Sequence, residues 1–564
     1  MTAAEGRGRR LAGTIAGAAG LIAALTLLAR IAGFARVLVF ASSVRARGVG
    51  EVYQSVNALP NVLFEIAAGG VLAAVAVPLI AHRLGAGDRA SADRLADALL
   101  SWALVILIPL AVLLAVLARP LATFLIADFD PVARDVGTTL LRIFAIQVPL
   151  YGVGIILTGL LQAHRRFLAA ALAPLLSSVV VLVSYAWYGT LVGGSTAPSV
   201  VSGQALAVLG WGTTAGVAVL SLPLVLPALR TGWRWHPGLR FPVGTLGRVG
   251  RLAGAGILAL LAQQGAVLVT MWLANHAGDR GAFPVYQYVQ AVYLLPYAVL
   301  AVPLATSAFP ALAHSTGAGK DASMTLARTL RALLWLAAAA AAALLVVAPA
   351  VAGFFSVLDA RKGAAGASPQ SLAALAAALA AYAPGLIGFA VSALLTRALY
   401  VRGRALMAGA AVAAGWLVAA LGPLVTVGAG ASAAHTLRML GVWSSVGMTL
   451  SACALGMLVR RSWGATVLAG LTGTLARVVV VVALAVVAGD LVRSGRDVST
   501  LGGSLGVGAA SGLITLVVAL GLGALLERSR LGVVRARGRA IRAERRGSRQ
   551  GSDHQEQYPQ EREP

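Results

Sequence analysis

The sequence contains a single cysteine, Cys453, which lies inside an apolar run, so an internal disulfide and a cysteine metal cluster are both excluded. Acidic residues are scarce as well: 20 Asp and Glu stand against 45 Lys and Arg, and charged residues make up only 12% of the chain. A soluble domain carries about twice that charge density. The polar stretches between apolar runs are too short to fold on their own. They contain no phosphate-binding glycine loop, metal-ligand spacing or catalytic triad. The chain therefore reads as no enzyme, with no metal and no cofactor.

Apolar residues, by contrast, reach 59%, with a mean hydropathy of +0.85. They gather in runs near 12–43, 53–81, 97–118, 136–162, 168–190, 204–229, 250–276, 283–312, 330–356, 372–399, 405–427, 438–459, 465–489 and 505–526. About 20 residues of helix cross roughly 30 Å of hydrocarbon. Barrel strands are a poor alternative, because they need short alternating segments and Leu99 to Ala118 is continuously apolar. The expected fold class is all-α, a polytopic membrane protein of about 14 transmembrane helices. Arg7, Arg9 and Arg10 precede the first run, but it continues to about Ser43 and includes Arg30 and Arg36, which predicts a retained helix rather than a cleaved signal.

Basic residues mark the cytoplasmic side of short loops. With the N-terminus inside, the inner loops hold Arg83, Arg89 and Arg94, then Arg165 and Arg166, then Arg230 to Arg251, and later Arg402, Arg404, Arg460 and Arg461. The outer loops are poorer, with pairs such as Arg45 and Arg47 and an uncharged connection over 192–203. Both termini are expected to be cytoplasmic. The net charge of +25 follows from this topology and from the arginine-dense stretch Arg528 to Arg549, so nucleic acid is not an expected partner. Anionic membrane lipids are.

An internal repeat organises the chain. Val52-Tyr53-Gln54 recurs as Val285-Tyr286-Gln287, and Pro78, Ala81-His82 and Gly85-Ala86-Gly87 recur as Pro310, Ala313-His314 and Gly317-Ala318-Gly319, at offsets of 233 and 232. Leu161 to Arg166 echoes Leu399 to Arg404. An even number of spans separates the copies, so the halves should be related by a pseudo-two-fold axis along the membrane normal. The expected divisions are an N-terminus (1–11), a six-helix lobe (12–229), a linker (230–249), a second six-helix lobe (250–459), helices thirteen and fourteen (460–527), and a basic, partly disordered tail (528–564).

Charges inside the runs point to a site, because a mid-bilayer cation costs about 2.5–3.5 kcal/mol even on lenient scales. Arg30 and Arg36 lie six residues apart on the first helix, roughly 9 Å and about 240° of turn, a spacing that can border a wide wet cavity. Guanidinium forks suit a diphosphate. Snorkelling toward the helix ends is the competing reading. Glu65 is expected to pair with Arg30 or Arg36, and Glu51 either pairs with a cavity arginine or sits at a helix N-terminus. Arg477 either meets substrate or lipid headgroups, or bonds to neighbouring carbonyls. Gln263 and Gln264 either line the cavity or join helices by hydrogen bonds. Pro60 and Pro78 in helix two, and Pro296, Pro303 and Pro310 in helix eight, are candidate hinges or static kinks.

The run Leu28-Ala29-Arg30-Ile31-Ala32-Gly33-Phe34-Ala35-Arg36, then Leu59-Pro60-Asn61 and Val77-Pro78-Leu79-Ile80, resembles the start of the MurJ (MviN) family of lipid II flippases. Leu161 to Phe167 with Ala173-Pro174, Pro296 to Pro310, and Leu399 to Arg404 are similar to it as well. The resemblance implies the multidrug/oligosaccharidyl-lipid/polysaccharide exporter fold, with two C-terminal helices bordering a lipid groove. It also implies a bacterial plasma-membrane protein of peptidoglycan synthesis, whose substrate is undecaprenyl pyrophosphate bearing a disaccharide-pentapeptide, with cell-wall synthesis proteins as partners. In that alignment Glu51 falls on an acidic family position. One arginine is expected just after Leu-Pro-Asn, where this chain has Phe64 and Glu65, and one in helix eight, where it has Ala291, while Val37 replaces a carboxylate. The second lobe lacks carboxylates expected to be buried, so sodium coupling is not anticipated. The competing functions are export of another polyprenyl-linked saccharide or a drug on the same fold, and a non-transporting scaffold for cell-wall enzymes.

Overall fold

The computed structural model describes residues 20–21, 24–66, 73–126, 131–241, 246–307, 320–360 and 369–553. Backbone amides in hydrocarbon must find partners within their own segment. Helix is the outcome nearly everywhere, and no strand occurs among the described residues.

The N-terminal group begins with α1 (Ala24–Val44), whose last turn, Phe40–Val44, widens into a π-helix. Next come α2 (Val49–Glu65) and α3 (Ala73–Gly85), which flank residues 67–72 where a single run was expected over 53–81. After α4 (Arg89–Val116), a short α5 (Ala118–Leu125) that hydropathy alone does not reveal leads into α6 (Pro131–Ala145) and α7 (Gln147–Ala163). The group closes with α8 (Phe167–Leu191), α9 (Gly203–Ser221) and α10 (Val225–Leu229). Starts are fixed by small polar caps: Asp88 accepts from the Ser91 amide at 3.0 Å and Ser202 from Ala205 at 3.2 Å.

The C-terminal group comprises α11 (Leu246–His276), α12 (Ala282–Pro296), α13 (Lys320–Ala360), α14 (Pro369–Tyr382), α15 (Gly385–Val401), α16 (Ala405–Thr426) and α17 (Ala433–Trp463). Two further helices, α18 (Leu471–Arg493) and α19 (Leu501–Asp553), pack on α13 through Trp335, Ala338, Val481, Ala485 and Ala519. The last helix continues through the basic stretch expected as a partly disordered tail, as far as Asp553, in keeping with the helix propensity of its Arg, Ala and Glu.

Among the described residues, 12 helices are long and apolar enough to cross a membrane, and 13 when α14 and α15, bent by 46° at their junction, form one broken span. Large apolar side chains such as Val425 and Leu491 are exposed, at 86% and 72%, which suits lipid rather than water. Glycine lets α17 approach both α16 and α15 closely: a Cβ on Gly447 would collide with the Gly415 carbonyl of α16, and one on Gly388 of α15 with the Met448 backbone of α17. The two groups pack mostly within themselves. Between them lies the space that holds the candidate site.

Candidate functional site

α1, α2, α7, α8, α9 and α12 enclose a chamber of about 470 Å³ at the junction of the two groups. Arg36 lines it from α1 and Glu65 from α2, with Gln54, Asn57, Asn61, Gln287 and Gln290 supplying amides. A second space of about 650 Å³, lined by Arg30, Gln162 and Ala298, shares Arg36, Val37, Ala291 and Leu294 with the first. Both arginines are exposed, although they lie within the first apolar run. Tyr53, Tyr151 and Tyr185 line the same chamber as Arg36. Tyr53 bonds to Tyr185 at 2.8 Å and to Thr213 at 3.0 Å, and Tyr151 donates to Asn61 Oδ1 at 3.1 Å.

The other expected residues fall in different places. Glu65 lines the chamber but forms no ion pair with Arg30 or Arg36 among the described residues. It is an exposed side chain, and water rather than an arginine can solvate it. Glu51 is 2% exposed and meets no cavity arginine. Its Oε1 accepts from the Gly281 amide at 2.6 Å, at the start of α12 in the opposite lobe. Gln263 lines a separate cavity within the second lobe, whereas Gln264 is buried. Arg477 donates from Nε to the Gly473 carbonyl at 2.8 Å, the carbonyl bond weighed against a headgroup contact.

Pro60 lies within α2 and Pro78 within α3. Pro296 ends α12, where a π-helical turn, Tyr297–Ala301, follows, and Pro303 lies in the next helical turn. A proline removes a ladder hydrogen bond, and the local widening accommodates that loss. Pro310 and the second copy of the glycine repeat, Gly317 to Gly319, lie outside the described residues.

Among the described residues, hydrogen bonds join the lobes at the end where α1 stops and α2 starts. Besides Glu51 to Gly281, the Ala46 amide donates to Asp359 Oδ1 at 3.2 Å, and Asn275 Nδ2 donates to Ser55 Oγ at 2.8 Å and to the Leu125 carbonyl at 3.0 Å. Phe40 meets Tyr288 edge-on, and Tyr288 stacks on Phe355 at 4.6 Å. Asp359 is 1% exposed, which corrects the expectation that the second lobe lacks buried carboxylates; its role is to accept an amide from the first lobe. Arg45 is likewise buried, with φ of 71° and an Nη1 bond to the Gly194 carbonyl at 3.1 Å, not the solvated loop cation its neighbourhood suggested.

The sequence held an unused signal for the chamber. Tyr53-Gln54 and Tyr286-Gln287, the repeated pair, both face cavities, Gln287 being shared by the chamber and the second-lobe cavity. Val37, Phe64, Glu65 and Ala291, where the resemblance expects other charges, all line the chamber too.

The family model for the lipid II flippase MurJ matches residues 40–497. The chain belongs to the MurJ family. Its members are lipid flippases rather than enzymes, and the chain is accordingly a helical, multi-span membrane protein. Among curated relatives, the probable lipid II flippase MurJ of Rhizobium tropici is 27% identical over 318 residues, covering 55% of this chain and 58% of that protein. The chain thus spans a little over half the length of that relative. The lipid II flippase MurJ of Burkholderia cenocepacia is 25% identical over 400 residues, 68% of this chain and 72% of that one. Among solved structures, a MurJ in an inward closed conformation superposes with a TM-score of 0.70 at 15% identity, over 91% of this chain and 99% of that one. A multidrug-resistance MATE transporter of the MOP superfamily, in an inward-facing conformation, gives 0.62 at 15% identity, over 79% and 98%. At these identities the likeness shows the shared fold.

Proposed function

We propose that the chain moves lipid II, a polyprenyl pyrophosphate carrying the peptidoglycan headgroup, from the inner to the outer leaflet of the bacterial plasma membrane by alternating access. The observation that carries this reading is the chamber between the lobes, bordered by Arg36 and sharing wall residues with the space around Arg30. Two guanidinium forks would take the diphosphate, the exposed apolar helices would leave the polyprenyl tail in lipid, and the lobes would rock about the chamber.

With the N-terminus cytoplasmic, as the loop arginines favour, the inter-lobe bonds at Glu51, Ala46 and Asn275 would form the outer gate. The C-terminus would then also be cytoplasmic, and the arginine stretch after Arg528 would rest on anionic lipid. Pro60, Pro78, Pro296 and Pro303 would be the flexing points, with the π-helical turn after Pro296 as the strongest support.

The test is rescue of cells depleted of their own lipid II flippase, scored for lipid II in the outer leaflet. Rescue by the unaltered chain supports the reading, and growth arrest with lipid II held in the inner leaflet sinks it. A second reading, export of another polyprenyl-linked saccharide, draws on the uncharged side chains Phe64 and Ala291 in the chamber. It predicts no rescue together with accumulation of a different lipid-linked sugar on deletion.

A further inference from the structure

The repeated tyrosine-glutamine pair faces a charged cavity in the first lobe and an uncharged one in the second. Around Tyr53 and Gln54 the walls include Arg36 and Glu65. Around Tyr286 and Gln287 lies a cavity of about 220 Å³ with no ionisable acid or base on its walls, set among α11, α12, α14, α15, α16 and α17. It adjoins the chamber, since Gln287, Gln290 and Leu294 line both.

Its lining combines two chemistries. Tyr382, Phe389 and Trp416 present aromatic surface, with Phe389 and Trp416 edge to face at 6.1 Å. Gln263, Gln287 and Gln290 present amides that both donate and accept. Tyr286 and Tyr293 add phenols to the walls. Tyr293 is 4% exposed, and its hydroxyl has no hydrogen-bond partner among the described residues. A buried polar group without a partner is unfavourable, so this hydroxyl marks a place where a guest atom is wanted.

From this geometry we infer that the second-lobe cavity is a subsite for one sugar ring of the transported headgroup, held while the diphosphate occupies the arginines of the first lobe. A sugar ring offers hydroxyls that both donate and accept and a C–H face that packs on aromatic rings, which matches amides plus Tyr382, Phe389 and Trp416. A bare cation would lack the carboxylates it needs, because the walls carry none. A purely apolar guest would leave the amides and Tyr293 unsatisfied. Ligand pockets for whole drug-sized molecules run to about 300–1,000 Å³, so a cavity of about 220 Å³ fits a single ring and not the entire headgroup.

This inference rests on the transport reading above, and its test separates the two. The full chain in nanodiscs is titrated with lipid II and with undecaprenyl pyrophosphate, which has the same tail and diphosphate but no sugar. Tyr293→Phe, which deletes one oxygen, and Trp416→Leu should each weaken lipid II about tenfold while shifting undecaprenyl pyrophosphate by less than about twofold. Arg36→Ala should weaken both lipids. If Tyr293→Phe weakens the two lipids equally, or if neither cavity variant affects lipid II, the sugar subsite is wrong and the transport reading stands. If the unaltered chain binds neither lipid, the transport reading fails and takes this inference with it.

Discussion

The Glu51 carboxylate at the start of α2 accepts a hydrogen bond from the Gly281 amide at the start of α12, across a sequence separation of 230 residues and from one lobe to the other. Gly281 adopts φ of 89°, a left-handed conformation that leaves its amide free to point outward from the first turn of α12. A carboxylate at a helix N-terminus is favoured by the helix dipole as well as by the bond itself. Arg280 and Arg47 add positive potential around it. The contact therefore joins the lobes at one end of the chamber and leaves the arginines of α1 to the chamber itself.

Breaking this contact should open that end. A buried hydrogen bond of this kind contributes about 0.5–1.5 kcal/mol, so Glu51→Ala should shift the closed-to-open ratio by roughly 2- to 10-fold. Spin labels at the exposed positions Val200 and Ser499, placed in a Cys453→Ala background because Cys453 is exposed, would read the change as a longer distance population. An unchanged distance distribution would mean that the other inter-lobe bonds alone hold the end shut.

Adding charge to the chamber should be tolerated where wall positions face water. Ala291 lines both the chamber and the Arg30 space, so Ala291→Arg should fold normally, with a melting temperature within about 4 °C of the unaltered chain, the shift set by about 1 kcal/mol or less. It should also tighten undecaprenyl pyrophosphate, by roughly tenfold for one added charge-assisted bond. Loss of folding would show that the wall at Ala291 is packed and dry.

Away from the chamber, the approach of α16 and α17 depends on a missing side chain. Gly447→Leu would drive its side chain into the Gly415 backbone and should lower stability by roughly 1–3 kcal/mol or more, read as early thermal unfolding in detergent. Gly428→Ala, at a glycine whose added Cβ meets nothing nearby, is the control and should leave unfolding unchanged.

What could be read from the sequence followed from local pattern. Apolar runs of span length give the helices, and arginines inside the first run point to a cavity beside them, because both arguments need only neighbouring residues. The residues that escaped are those whose partners are remote. Arg45 reads as a loop cation until Gly194, 149 residues later, is seen to take its bond. Asp359 gains its meaning from the Ala46 amide, 313 residues away. Glu65 misled for the opposite reason: its place inside an apolar run implied an arginine partner, but its side chain is exposed on the chamber wall and forms no ion pair among the described residues. The bend between α14 and α15 was invisible because hydropathy is blind to a 46° break inside a continuous apolar segment.

Transport itself can be measured with the purified chain in vesicles whose inner leaflet carries lipid II, by following its arrival in the outer leaflet with a reagent that cannot cross the bilayer. The account predicts transfer by the unaltered chain, a loss of roughly tenfold or more with Arg36→Ala, and partial recovery with Arg36→Lys, which restores charge without the bidentate fork. Transfer by Arg36→Ala at the unaltered rate would contradict it.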